Sequence, residues 1–144
     1  FGDPISVYAV SSRGIVRPGI DASPEYDTED YSVCIYRFQD NVTATLESAC
    51  YSKTVRPNCG LVIKLDDMII DYRLRNNLIL TTANKTVDIR RGNDQTLDLD
   101  RAFIRAVQTG DASGIRSPYA DAVKSLKMTF AANESMETGK VVYL

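Results

Sequence analysis

Between Leu61 and Ile89 the chain keeps a two-residue rhythm of apolar side chains, broken by short polar turns. Leu61, Ile63 and Leu65 precede Asp66-Asp67. Met68, Ile70 and Tyr72 precede Asn76-Asn77. Leu78 and Leu80 precede Asn84-Lys85, and Val87 and Ile89 follow. Period two places alternate side chains on one face of a strand. Each polar pair sits where a two-residue hairpin wants residues comfortable at positive φ. The expectation is a meander of four short antiparallel strands, with the acidic pairs serving as turns rather than as metal ligands.

The same rhythm occurs earlier. Tyr31, Val33 and Ile35 alternate with small residues, and Val42, Ala44 and Leu46 answer them across the turn Gln39-Asp40-Asn41. These two runs should form an antiparallel hairpin. Ile5–Val10 reads as a further strand, followed by a long loop over 11–30 that holds Gly14, Pro18, Gly19 and Pro24. Long loops in compact domains are often functional.

After residue 95 the period changes. Leu99, Phe103, Ala106 and Val107 fall at helical spacing, with Thr96 as expected N-cap and Gly110 as left-handed terminator. A second helix is expected with Ser117 as N-cap, Pro118 at its first position, Val123, Leu126 and Phe130 as its buried stripe, and Gly139 at its end. "VVYL" then adds a final strand. Strands followed by helices indicate an α+β fold: an open-faced, mostly antiparallel β-sheet with two main helices on one face. Nothing in the chain covers the other face, which is expected to be an interface.

At 144 residues the chain reads as one domain, 1–144. A net charge of −2 with both signs interspersed argues against a nucleic-acid partner. Arg90-Arg91, the one dense basic spot, reads as a solvated turn. No apolar run approaches the roughly 20 residues a membrane helix needs, and "FGDPISVYAV" lacks the basic start of a signal peptide. Cys34, Cys50 and Cys59 form no C-x-x-C pair, which argues against zinc or a disulfide framework and fits a reducing cytoplasm. The N-x-[ST] matches at Asn41, Asn84 and Asn133 read as chance.

The chain has no histidine, so Ser-His-Asp, Cys-His and imidazole-ligated metal chemistry are excluded. It also has no G-x-G-x-x-G or P-loop pattern. Three constellations remain. Arg116, Tyr119 and Asp121 cluster at a helix start, where outward N–H groups favour negative charge; the plain alternative is an ordinary helix start. Arg13 and Arg17 in the long loop suit an anionic or sugar-like molecule, or are merely solvated. The stretch Glu25–Asp30 is carboxylate-rich but lacks EF-hand spacing.

Four stretches, in order, resemble the C-terminal domain of the glucose–fructose oxidoreductase / inositol dehydrogenase (Gfo/Idh/MocA) family. They are "GDPISVYA", "EDYSVCIYRFQDNVTATLESAC", "LDRAFIRAVQTGDASGIRSPYADAVKSL" and "AANESMETGKVVYL". The resemblance implies the substrate and oligomerisation domain of an NAD- or NADP-dependent oxidoreductase acting on a sugar, cyclitol or related hydroxyl compound. It further implies an N-terminal Rossmann domain, absent here, that holds the cofactor, so none is expected on this fragment. The family's catalytic lysine and Asp-x-x-x-His pair have no counterpart in these residues. The family's aspartate near nicotinamide and substrate falls on Asp121, although Ala122 stands where many relatives have glycine. Tyr119 and Arg13 are the further substrate-binding candidates, and no metal is implied. The expected partners are a polyol or sugar substrate, the missing Rossmann domain and a second copy through the sheet face. The alternative is a stand-alone protein-binding or assembly module using that face.

Overall fold

A computed structural model of the chain describes residues 2–13, 29–49 and 59–144. The order is β1 Ser6–Ser12, β2 Tyr31–Arg37, β3 Thr43–Ala49, β4 Gly60–Lys64, β5 Met68–Arg73, β6 Asn77–Thr82, β7 Thr86–Arg90, α1 Gln95–Thr109, α2 Tyr119–Thr138 and β8 Val142–Tyr143. The fold is α+β, as expected. Its strands divide between two four-stranded antiparallel sheets, β3-β2-β1-β8 and β4-β5-β6-β7. The chain forms two compact units, Phe1–Thr54 with Ser117–Leu144, and Val55–Arg116. Most of the long loop, with Arg17, and Cys50 lie outside the described residues.

In the first unit, period two and register together build the core. Val7 lies opposite Tyr36, and Ala9 opposite Cys34, so all four share one face. α2 covers that face through Ala131 and Ala132, and these six residues are the buried apolar core. Complete burial of Val7 alone is worth about 1.5–3 kcal/mol. Small side chains on α2 let helix and sheet approach closely. The expected stripe of Val123, Leu126 and Phe130 is therefore not what docks: Leu126 and Phe130 are exposed, and Val123 is only partly covered. The C-terminal half of α2 docks instead, with Met128 and Met136 packed against the core.

The Gln39–Asn41 turn behaves as its residues suggest. It is a single 3-10 turn in which Asp40 and Asn41 take φ of 55° and 60°, a region these two types tolerate. Phe38 N–H donates to the Val42 carbonyl at 2.8 Å and closes the hairpin.

In the second unit the meander forms as expected, with some turns shifted. Leu65 N–H donates to the Met68 carbonyl around Asp66-Asp67. The next positive φ falls on Arg75 rather than on an asparagine. The last hairpin closes from Thr82 to Lys85, so its loop is Ala83-Asn84, one residue earlier than expected. Neither Asp66-Asp67 nor Ala83-Asn84 takes positive φ. Register gathers Leu61, Ile70, Tyr72, Leu78, Leu80 and Ile89 on one face. The opposite face carries the Arg73–Asp71 ion pair at 3.0 Å and the Asn77 Nδ2 to Asp88 hydrogen bond at 2.7 Å.

Both helix starts differ from expectation by a residue or two. α1 is capped by Asp94, whose Oδ1 accepts from the N–H groups of Thr96 and Leu97. Thr96 is already inside the helix. α2 has Pro118 as N-cap, and Ser117 Oγ bonds Asp121 instead of the backbone. Both helices end as expected, on Gly110 and Gly139 in the left-handed conformation. Every fully buried residue among those described lies in the first unit.

Candidate functional site

The start of α2 carries two of the three expected site residues. Asp121 occupies the first turn, where the helix dipole favours its charge. Its N–H donates to the Pro118 carbonyl at 2.9 Å, and its Oδ2 accepts the Ser117 hydroxyl at 2.9 Å. One carboxylate oxygen is thus held by the chain itself, and the side chain remains exposed. Tyr119 projects its ring into solvent, 86% exposed. A carboxylate acceptor and a phenol donor sit two residues apart at one helix start, a pairing that suits a hydroxylated molecule.

Arg13 is not near them. Lys124 Nζ bonds both carboxylate oxygens of Asp3 at 3.0 Å, and Ser135 Oγ bonds Ala9 N–H. α2 therefore runs beside β1 in the same direction. Tyr119 and Asp121 lie past the Asp3 end, whereas Arg13 follows the last residue of β1 at the other. A seven-residue strand rises about 20 Å, so Arg13 and Asp121 stand at least about 20 Å apart.

Arg116 belongs to the second unit and lines a cleft beside α1. Of the acidic stretch, Asp30 is buried, and its N–H donates to the Ser12 carbonyl at 3.0 Å; residues 25–28 lie outside the described residues. Among the described residues no cluster of three or more carboxylates or thiols could hold a metal ion.

The shifted ionisations are structural. Burial pushes the Tyr36 phenol up to about 12, helped by the neighbouring Cys34 thiol. Burial also raises Cys34, partly offset by its hydrogen bond with Tyr36 and reinforced by the Glu29 charge. A raised thiol is a poor nucleophile at neutral pH. The Ser113 N–H, donating to Asp111 Oδ1 at 3.0 Å, holds that carboxyl below its usual range.

Sequence reasoning missed one feature wholly and another in part. One is the α1 cleft of about 640 Å³, which a helical wheel hints at through the exposed Leu99 and Phe103. The other is the exposed face of the first sheet, where Tyr8, Val10 and Ile35 are 39%, 47% and 41% exposed. A bare sheet face was expected, but its residues follow only from the register.

This architecture is one found in oxidoreductases. No family model and no curated protein sequence matches the chain. Solved structures do. Levoglucosan dehydrogenase in complex with NADH and L-sorbose superposes with a TM-score of 0.77 at 16% identity, over 99% of this chain and 45% of that one. The aldose-aldose oxidoreductase from Caulobacter crescentus, complexed with glycerol, gives 0.70 at 17%, over 99% and 42%. An oxidoreductase from Agrobacterium radiobacter, in complex with NAD+, L-tartaric acid and magnesium, gives 0.69 at 18%, over 99% and 44%. The chain thus spans less than half the length of each of these three structures.

Proposed function

We propose that residues 1–144 form the substrate-pocket and oligomerisation domain of an NAD- or NADP-dependent oxidoreductase of the Gfo/Idh/MocA type, acting on a sugar, cyclitol or related hydroxyl compound. The observation that carries this reading is the asymmetry of coverage. Nearly all of this chain matches less than half of chains whose complexes hold NADH with L-sorbose, or NAD+ with L-tartaric acid.

The described residues do not fit the cofactor themselves. Dinucleotide cradles form where a parallel strand passes through a glycine-rich turn into a helix, and both sheets here are antiparallel. In this reading a Rossmann domain outside these residues holds the dinucleotide. This chain supplies the wall that positions the hydroxyl substrate. Asp121 accepts a substrate O–H through the carboxylate oxygen that Ser117 leaves free, and Tyr119 donates beside it. Arg13, at the far end of β1, contributes to a different edge of the domain. The exposed Tyr8, Val10 and Ile35 face takes a second copy.

The test is a comparison of two proteins. A protein joining this chain to its cofactor domain should oxidise or reduce a member of a sugar panel with NAD(H) or NADP(H). The 144-residue chain alone should not, and sustained turnover by it would refute the reading. Asp121→Asn in the joined protein should raise KM or lower kcat by about tenfold or more, because the amide oxygen still accepts but without the charge that strengthens the bond.

A further inference from the structure

We propose that the cleft along the first half of α1 is a binding site for a small, neutral, polyhydroxylated molecule. Its volume of about 640 Å³ falls within the roughly 300–1,000 Å³ range of small-molecule sites. Among the described residues the lining runs over 93–116 and includes neither Tyr119 nor Asp121. The proposal therefore stands apart from the substrate reading above.

Leu99 and the Phe103 ring form an apolar wall, 68% and 61% exposed. Asn93, Asp98, Asp100 and Arg116 supply the polar groups. Part of this wall is set by the chain itself. Asn93 Nδ2 donates to Asp98 Oδ2 at 2.6 Å, and Gln95 Nε2 donates to the Tyr72 hydroxyl at 2.9 Å. Asp100 and Arg116 are different. They line one cleft, yet neither side chain has a hydrogen-bond or ion-pair partner among the described residues.

Charge selects the ligand class. An anion gains Arg116 but meets two carboxylates. A cation gains the carboxylates but meets the guanidinium. A wholly apolar molecule takes water from three charged groups and returns no hydrogen bond, which is costly. A neutral polyol satisfies all of them: its hydroxyls donate to Asp98 and Asp100 and accept from Arg116, while its C–H face lies on Phe103.

The experiment is an amide-resolved NMR titration of the protein with D-glucose. Saturable shifts are expected at residues 98–103 and 114–116. Asp100→Ala and Arg116→Ala should each weaken binding about tenfold, the loss of one charge-assisted hydrogen bond. Both side chains are exposed, so the fold should persist. Phe103→Leu keeps the apolar wall but removes the ring, and should also weaken binding. Asp121→Asn should leave this titration unchanged, which separates the site from the proposed substrate position. Absent or unsaturable shifts, or full affinity in Asp100→Ala, would overturn the proposal. So would equal saturation by sodium sulfate or tetramethylammonium, or the same shifts on raising protein concentration alone, which would mark a second copy as the occupant.

Discussion

The hydroxyl of Ser135, on α2, accepts the backbone N–H of Ala9 in β1 at 2.9 Å and donates to the Lys140 carbonyl at 2.6 Å. Ser6 pairs with Tyr143 and Val7 with Val142, so the same register would set Ala9 against Lys140. β8 ends before that point. Ser135 stands between the two backbone groups that a longer strand would have joined directly, and it is 0% exposed.

Ser135→Ala should therefore leave the Ala9 N–H buried without a partner. The expected loss is about 2 kcal/mol of unfolding free energy, the penalty for an unsatisfied buried donor. Ser125→Ala, at an exposed position of the same helix, should change stability by no more than about 0.5 kcal/mol. Urea unfolding of both variants measures the difference. Equal midpoints would show that the bridge contributes nothing.

A second prediction concerns alkaline pH. The Tyr36 phenol sits at about 12 in the folded chain against an ordinary 10.0. Between those values the folded state keeps a proton that the unfolded chain has lost. Stability then falls as pH rises, because unfolding releases that proton. The contribution is complete below pH 10.0 and gone above about 12. Cys34, raised from 9.0, adds a loss of the same sign at the lower end. Unfolding midpoints measured from neutral pH upward should decline through this window. In Tyr36→Phe the decline should be shallower.

A third prediction isolates the second unit. A Cβ on Gly60 would run into the backbone carbonyl of Tyr72, the residue next to its β5 partner Arg73. Backbone cannot yield as a flexible side chain does, so Gly60→Ala should displace β4. Overpacking of this kind costs about 1–3 kcal/mol. Hydrogen exchange should quicken at the β4 amides while Val7 and Ala9 in the first unit stay protected. Unchanged β4 exchange would show that the strand tolerates the methyl.

Asp94→Ala tests the helix start that sequence reasoning misplaced. Asp94 satisfies two N–H groups of α1, so its loss should cost about 1 kcal/mol. Thr96→Ala should cost less, because Thr96 lies inside the helix. Thermal unfolding of the pair decides which residue caps.

The hairpins were legible because period two and register are local, and Asp40-Asn41 took the φ values their side chains permit. The glycine helix ends were legible for the same reason. The docking face of α2 was not. Hydrophobic periodicity weights Leu126 and Phe130 heavily, whereas contact is made by Ala131, Ala132 and Ser135, whose small size is what allows it. Asp94 and Thr96 were both eligible caps, and only backbone geometry chose between them. At the candidate site, Tyr119 and Asp121 were legible as a pair because they share one helical turn. The distance of Arg13 depends on how α2 aligns with β1, which the non-local Lys124–Asp3 and Ser135–Ala9 contacts set.

The exposed face of the first sheet allows a direct test of assembly. Ile35 lies in β2, an interior strand, between Tyr8 of β1 and Thr45 of β3. It is 41% exposed, so a lysine there costs the lone chain little, within about 0.5 kcal/mol. Docked against a second copy, the same lysine would be stripped of water without a partner, a penalty of several kcal/mol. Ile35→Lys should thus lower the mass seen by light scattering to that of one chain, while the unfolding midpoint of the dissociated protein stays where it was. An assembly mass unaffected by the substitution would place the interface elsewhere on the molecule. The apolar face shared by Leu61, Ile70 and Leu78 in the second unit would then be the surface to probe next by the same means.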